Sequence, residues 1–236
     1  MSISFASTAG ICVSVACEKI DQALAVAKDS ANYADVVEIR LDSLARPEIE
    51  PFVKSLAAPL LFTNRPEWEG GSFTGSEVER ISLLLQAIRF DCALVDLEMK
   101  TAPELRADLL DVLLTHPRTG LIISWHDFSG TPSSDELGEI LLQQIESGAH
   151  IGKIVTTAND HRDVLRVLNL LLTAAENNFP LIAFCMGSVG KISRLATIRL
   201  GGYMTYAAPD TGRETAPGQI PVSVMRDMLL RLDHAD

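Results

Sequence analysis

Eight short runs of apolar and β-branched residues recur along the chain, roughly 30 residues apart, which is the length of a βα unit. Segments with helical periodicity lie between them. Strands that alternate with helices pair in parallel through right-handed crossovers. Eight such units in 236 residues predict a (β/α)8 TIM barrel of the α/β class, with a doubly wound open sheet as the second interpretation.

The predicted elements follow one another without a break in composition. Because no linker rich in Pro, Gly or Ser and no charge block interrupts them, we expect a single domain over residues 1–236. Candidate helix N-caps are Ser133 or Ser134, Asp160 and Ser188. The predicted strands are 11–16, 35–41, 59–64, 92–98, 120–126, 151–156, 180–186 and 202–207, and the predicted helices are 19–30, 77–90, 102–116, 134–147, 160–177, 193–200 and 222–232.

Composition narrows the function classes. The 31 acidic and 20 basic residues give a formal charge of −11, which argues against a nucleic-acid or acidic membrane partner. No apolar run reaches the about 18 residues of a membrane span, and residues 1–10 lack the pattern of a secretory signal. The four cysteines, Cys12, Cys17, Cys92 and Cys185, have neither zinc-ligand nor redox spacing. We therefore expect free thiols in a cytoplasmic protein.

The second predicted strand carries charges on one face, because Glu38 and Arg40 alternate with Val37 and Ile39. Both faces of a parallel sheet are covered, so the charged face is expected inside the barrel or at its C-terminal mouth. A pairing of Arg40 with Glu38 alone would also explain these charges. Polar or functional side chains end other strands in the same way: Thr63, Arg65, Asp96, Glu98, Ser124, His126, Lys153 and Met186.

Lys153 shares an apolar strand face with Ile151 and Val155. Burial lowers the pKa of a lysine from its usual value of about 10.4, and the uncharged amine is the nucleophile of Schiff-base chemistry. A lysine that reaches solvent or forms a structural ion pair is the simpler alternative. His126 lies on the neighbouring predicted strand, about 4.8 Å away, so both side chains could contact one small molecule.

Two loops are candidates for closing the mouth. Residues 65–71 contain glycines that permit a tight turn around Glu69. Residues 209–219 form a long polar connection of the kind used as a lid. The GSVG run at 187–190 lacks the lysine spacing of a phosphate loop.

Several short motifs run in order along nearly the whole chain: EIRLD at 38–42, FTNR at 62–65, EGG at 69–71, SWHDF at 124–128, KI at 153–154, ISR at 192–194 and APGQI at 216–220. Together they resemble those of type I 3-dehydroquinate dehydratases. The resemblance implies a (β/α)8 barrel, usually a homodimer, that uses neither a metal nor an organic cofactor and acts on 3-dehydroquinate. No Gly-rich dinucleotide fingerprint follows a strand, so a fused shikimate dehydrogenase domain is not expected within these residues.

The same resemblance implies roles for individual residues. Lys153 would form the imine, His126 would act as general base and acid, and Glu69 would orient His126. Arg194 would bind the substrate carboxylate. Position 215 is usually serine in the family, so the threonine here puts the fit of the lid in doubt. The remaining substrate contacts implied are Glu38, Arg40, Arg65, Thr215, Gln219, Ser14 and Met186.

The chemistry of these residue types agrees with a dehydration next to a carbonyl. A protonated imine is a better electron sink than a ketone, and an imidazole near its ordinary pKa both takes and returns a proton. Two alternatives remain: another Schiff-base barrel such as a class I aldolase, and a catalytically silent barrel that binds a carboxylate.

Overall fold

The structure is a computed structural model that describes residues 10–210 and 212–233. Residues 1–9, which make up most of the N-terminal stretch considered as a secretory signal, and Thr211 of the candidate lid lie outside the described residues. Eight strands follow the predicted order. They are β1 Gly10–Val15, β2 Val36–Arg40, β3 Leu60–Thr63, β4 Leu94–Glu98, β5 Gly120–His126, β6 Ile151–Thr157, β7 Leu181–Met186 and β8 Met204–Ala207.

The strands form one parallel sheet that curls into a nearly closed barrel. Each strand from β1 to β6 pairs in parallel with the next, and β1 also pairs with β8. At the remaining seam, the backbone N–H of Tyr203 donates to the carbonyl of Leu181 at 2.8 Å. The barrel prediction is confirmed. The alternative prediction of a doubly wound open sheet is wrong, because β1 pairs with β8 here, whereas an open sheet does not join its first and last strands.

The helices surround this barrel, and two of their features differ from the prediction. A short helix after β2 was not predicted. The seventh helix begins at Gly187 rather than at residue 193, so Ser188 is not its N-cap. The helices are α1 Ile20–Ser30, α2 Glu50–Ser55, α3 Glu77–Arg89, α4 Pro103–Thr115, α5 Ser134–Glu146, α6 His161–Glu176, α7 Gly187–Arg199 and α8 Val222–Asp233.

The early start of α7 has a backbone cause. Gly187 has a φ of 83°, which lets the chain turn from β7 directly into the helix without a loop. Two predicted caps are confirmed: Ser133 caps α5 and Asp160 caps α6, each in a reciprocal capping box.

The barrel interior changes character along its length. Inward-facing Leu94, Ile122 and Ile151 are almost fully buried and fill the lower part. Two residues further along the same three strands, the inward positions are Asp96, Ser124 and Lys153. An apolar floor therefore supports a polar layer at the C-terminal ends of the strands, which is where barrel enzymes carry their sites.

Two further predictions concern the whole chain. The four cysteines are free, and all but Cys17 are buried, as expected from their spacing. Among the described residues, no helix is long and apolar enough to cross a membrane.

Candidate active site

A cavity that opens to solvent lies at the C-terminal end of the barrel. The aromatic and aliphatic side chains of Phe128, Val155, Phe184 and Tyr206 also line it. Ten predicted site residues line the cavity: Glu38, Arg40, Arg65, Glu69, His126, Lys153, Met186, Arg194, Thr215 and Gln219.

Lys153 on β6 is buried, and its ammonium has a partner. Its Nζ lies 2.9 Å from Oδ2 of Asp96 and 4.1 Å from the centre of the Tyr206 ring. Asp96 also accepts a hydrogen bond from Ser124 Oγ at 2.6 Å. Lys153 is therefore a buried group with a carboxylate partner, so the structural ion pair considered as the simpler alternative is formed.

Asp96 connects Lys153 to Arg65, whose Nη2 lies 2.8 Å from the same carboxylate oxygen. Burial by itself would raise the pKa of Asp96, but the charges of Arg65 and Lys153 hold it below its usual range. Asp96 is therefore ionised at neutral pH and is a poor proton acceptor.

His126 on β5 forms a close pair with Glu69. Its Nδ1 lies 2.9 Å from Oε1 of Glu69. Burial lowers the pKa of His126 well below its usual value, and the charges of Arg65 and Lys153 act in the same direction. The imidazole is therefore uncharged at neutral pH. An Nδ1–H that donates to Glu69 leaves Nε2 as the free proton acceptor.

Glu69 is held by the loop after β3. A 3-10 turn spans Glu67–Glu69, and Gly70 ends it with a φ of 76°. A side chain at Gly71 would place its Cβ 2.0 Å from the carbonyl oxygen of Arg65. Burial raises the pKa of Glu69 to about 8, although Arg65 opposes the shift, and its Oε2 has no hydrogen-bond partner. Glu69 is therefore largely protonated at neutral pH.

Arg194 on α7 is a buried cation that has no carboxylate partner among residues 10–210 and 212–233. It donates to the backbone carbonyls of Tyr206 at 3.3 Å and Pro217 at 3.2 Å, and its guanidinium lies 4.5 Å from the centre of the Phe184 ring. Its Nε has no hydrogen-bond partner. Burial lowers the pKa of Arg194 to about 10, so the group remains charged at neutral pH. A charged, incompletely bonded guanidinium in a cavity is suited to a carboxylate ligand.

The predicted lid covers the same side of the cavity. The backbone N–H of Thr215 donates to Oε1 of Gln219 at 2.7 Å, and Nε2 of Gln219 donates to Oγ1 of Thr215 at 3.1 Å. Gly218 has a φ of 80°, and a Cβ there would lie 2.6 Å from the carbonyl oxygen of Gly187. Close contact between the lid and the start of α7 therefore requires glycine at position 218.

Glu38 accepts hydrogen bonds from the hydroxyls of Ser14 and Thr63, the latter at 2.7 Å. Ser14 does not line the cavity and reaches it through Glu38, so its predicted substrate contact stays a prediction. The pairing of Arg40 with Glu38 is wrong. Arg40 forms two hydrogen bonds with Asp42, at 2.8 and 2.6 Å, because the chain turns into a 3-10 helix after β2.

Strand alternation placed Asp96 and Glu98 at the C-terminal end of the barrel without a role in the site, and both pair with Arg65. Phe184 and Tyr206 were not singled out, although the same alternation could have found them, because each faces inward near the C-terminal end of its strand. Among the described residues, no group of three or more His, Cys, Asp or Glu side chains is arranged to hold a metal ion.

The chain is similar to proteins of known activity. The family model for type I 3-dehydroquinase matches residues 11–236. A 3-dehydroquinate dehydratase from Desulfotalea psychrophila is 48% identical over 221 residues, which cover 94% of this chain and 97% of the relative.

Two solved structures extend the likeness. The 3-dehydroquinate dehydratase of Geobacillus kaustophilus has a TM-score of 0.87 at 30% identity, over 96% of this chain and 92% of the other. The type I enzyme of Clostridium difficile, described with covalently modified comenic acid, has a TM-score of 0.84 at 26% identity, over 96% and 93%. The chain therefore belongs to the type I 3-dehydroquinase family and is an enzyme of the lyase class.

Proposed function

We propose that this enzyme removes water from 3-dehydroquinate, giving 3-dehydroshikimate, through a covalent imine on Lys153 with His126 as general acid and base. One observation carries the proposal: a buried amine, an uncharged imidazole and a guanidinium without a carboxylate face one cavity. A cyclic keto acid offers a ketone to the amine and a carboxylate to the guanidinium. The names of the relatives support the choice of substrate.

Substrate binding is assigned to three groups of side chains, which contact the carboxylate, the ring and the lid side of the ligand. Arg194 binds the carboxylate, because a guanidinium presents two parallel N–H donors to its two oxygens. Glu38, Arg40 and Arg65 hold ring hydroxyls, and Met186 lies against the ring. Thr215 and Gln219 exchange part of their mutual hydrogen bonding for contacts with the ligand when the lid closes.

Imine formation requires Lys153 to lose a proton. Asp96 is a poor acceptor because Arg65 keeps it ionised, whereas His126 is uncharged and lines the same cavity. His126 therefore takes the proton. The amine adds to the ketone carbon, and one proton moves from the nitrogen to the former ketone oxygen. His126 then returns its proton to the same oxygen, which leaves as water and gives the protonated imine.

Elimination follows from the protonated imine. His126 removes the proton from the carbon next to the imine, and the electron pair moves toward the nitrogen to give an enamine. The enamine then expels the β-hydroxyl, which leaves as water with the proton from His126. Hydrolysis of the conjugated imine releases the product and restores Lys153, while Glu69 holds the imidazole in position.

Borohydride reduction in the presence of 3-dehydroquinate tests the proposal. We expect a stable mass increase located on Lys153 by peptide mapping, together with ultraviolet absorbance of a conjugated enone in the unreduced reaction. Lys153→Ala should lose both signals. Lys191→Ala, an exposed lysine on α7, is the matched control and should keep them.

The outcomes separate the alternatives. An adduct without the enone would favour aldolase-type chemistry, and tight binding without an adduct would leave a binding protein. Either result contradicts the proposal. His126→Ala should slow dehydration while some imine is still trapped.

Four expectations about the protein as a whole remain proposals. They are a homodimer, a cytoplasmic location, a single folding unit over the chain, and turnover without a metal or organic cofactor. Sedimentation equilibrium, cell fractionation, limited proteolysis and an assay in the presence of a chelator test them in turn.

A further inference from the structure

Arg80 on α3 is fully buried but does not line the cavity. Its five N–H donors have five acceptors. Nε and Nη2 donate to the carboxylate of Glu77 at 2.9 and 2.8 Å, Nη2 donates to Thr101 at 2.9 Å, and Nη1 donates to Glu98 and to the carbonyl of Asn64. Because a guanidinium has five donors, no donor is left for a substrate.

Glu98 joins Arg80 to the cavity. One of its oxygens accepts from Nη1 of Arg80, and the other accepts from Nη1 of Arg65 at 2.6 Å. Arg65 in turn binds Asp96, and Asp96 binds Lys153. Charges of alternating sign therefore run in one buried chain from the first turn of α3 to the amine.

We propose that Arg80 is a positioning residue for the reaction, acting through Glu98 and Arg65 on Asp96 and Lys153. The inference rests on the proposed role of Lys153 as the nucleophile. Its physical basis is competition for Arg65, whose two terminal nitrogens are divided between Glu98 and Asp96. Without Arg80, buried Glu98 has only Arg65 as a cationic partner and draws it away from Asp96.

The expected consequence is a change in kcat rather than in carboxylate binding. Lys153 would keep Asp96 but lose the fixed position of that carboxylate, and a small displacement of a reacting group costs on the order of 10 to 100-fold in rate. Arg194 lies on α7, outside this chain of contacts, so carboxylate binding should stay intact. Any rise in KM comes from the displaced contacts of Arg65 with ring hydroxyls and should be smaller than the fall in kcat.

The first experiment compares Arg80→Met with the wild type and with the double variant Arg80→Met/Glu98→Gln. We expect kcat to fall roughly 10-fold or more in the single variant. The double variant should recover at least about threefold of that loss, because the neutral amide that replaces the Glu98 carboxylate no longer competes for Arg65. A merely structural role of Arg80 predicts no recovery in kcat, since the double variant lacks still more of the network.

A second pair of variants covers the case in which Arg80→Met does not fold. Glu77→Ala removes the partly exposed carboxylate that fixes Arg80, and Glu79→Ala removes the exposed capping-box carboxylate in the same turn of α3. Both should lower the melting temperature, but only Glu77→Ala should lower kcat, by about two- to fivefold. Equal kcat values in these two variants would overturn the proposal.

Wild-type turnover and borohydride trapping are measured in the same series. Their absence would reject the proposed function itself. Normal wild-type turnover with an unchanged kcat in Arg80→Met, or with no recovery in the double variant, would reject only the role of Arg80.

Discussion

Two regions of the cavity bind their cations in opposite ways. On the β4–β6 side, Arg65 and Lys153 share the carboxylate of Asp96, and Arg65 and Arg80 share that of Glu98. On the α7 side, Arg194 has backbone carbonyls and an aromatic ring but forms no salt bridge among the described residues. We call these the paired side and the unpaired side. The first is complete without a ligand, whereas the second becomes complete only when an anion binds.

This difference indicates how one buried site can hold several charges. Charges that position reacting groups are compensated by other charges within the fold, so they contribute to the stability of the unliganded protein. The charge that recognises substrate is left without a counter-ion, so burial costs stability until the carboxylate arrives. The His126–Glu69 pair lies in the same cavity, and both groups are uncharged at neutral pH.

The largest expected effect comes from breaking the paired side. Asp96→Asn leaves Arg65 and Lys153 without a shared carboxylate, and loss of one partner of a buried ion pair costs about 3–5 kcal/mol. We expect the free energy of unfolding from urea titration to fall by that amount and imine trapping to be lost. Asp108→Asn, on the exposed face of α4, is the matched control and should change stability by less than about 0.5 kcal/mol.

Arg194→Met should have the opposite signature. Removal of a charge with no carboxylate partner should change the stability of the unliganded protein by less than about 1 kcal/mol, while KM rises roughly 100-fold because the substrate carboxylate loses its partner. Steady-state kinetics and thermal unfolding measure the two effects. Lys191→Met, an exposed cation on the same helix, should leave both unchanged. A loss of stability as large as that of Asp96→Asn would erase the distinction between the two sides.

Glu69 should make stability depend on pH. Its pKa is raised from 4.5 to about 8 by burial, so the folded state binds more protons than the unfolded state between these values. Its stabilising contribution is complete below 4.5 and is lost as pH rises through 8. We expect the free energy of unfolding to fall by about 3.5 kcal/mol between pH 5 and pH 8, relative to Glu69→Gln.

Glu67→Gln is the control for this measurement, because Glu67 lies in the same 3-10 turn but is exposed. It should follow the wild-type curve. If the free energies of unfolding of the wild type and of Glu69→Gln changed with pH in parallel, Glu69 would be ionised throughout the range. A third charge would then lie between the two sides.

The smallest expected effect concerns His126. Burial holds its pKa well below 6.5, so the imidazole is already uncharged on the acid side of neutrality. We expect kcat/KM to change by less than about twofold between pH 7 and pH 6. A fall centred near 6.5, with the melting temperature unchanged, would show that the charges of the paired side do not act on this imidazole.

Much of the site was predictable, because strand alternation and the order of short motifs indicate which residues lie at the C-terminal end of the barrel. Lys153, His126 and Arg194 were placed from such local patterns, and all three line the cavity. The start of α7 was not predictable in this way. The positive φ of Gly187 lets α7 follow β7 directly, where the sequence pattern indicates a loop. The partner of Arg40 was also missed. The alternating pattern predicted a strand to residue 41, but β2 ends at Arg40.

The sequence by itself determined the barrel, through eight apolar runs separated by amphipathic helices, and the end of the barrel where polar side chains gather. Only the tertiary structure decided which charges pair. Along the backbone ladder Lys153 aligns with Ser124 and Ser124 aligns with Glu98, yet the amine binds Asp96. Strand register fixes the level of each Cα. The partner of a long side chain depends on strand tilt and on which neighbouring acids are already taken, and Glu98 is held by Arg65 and Arg80.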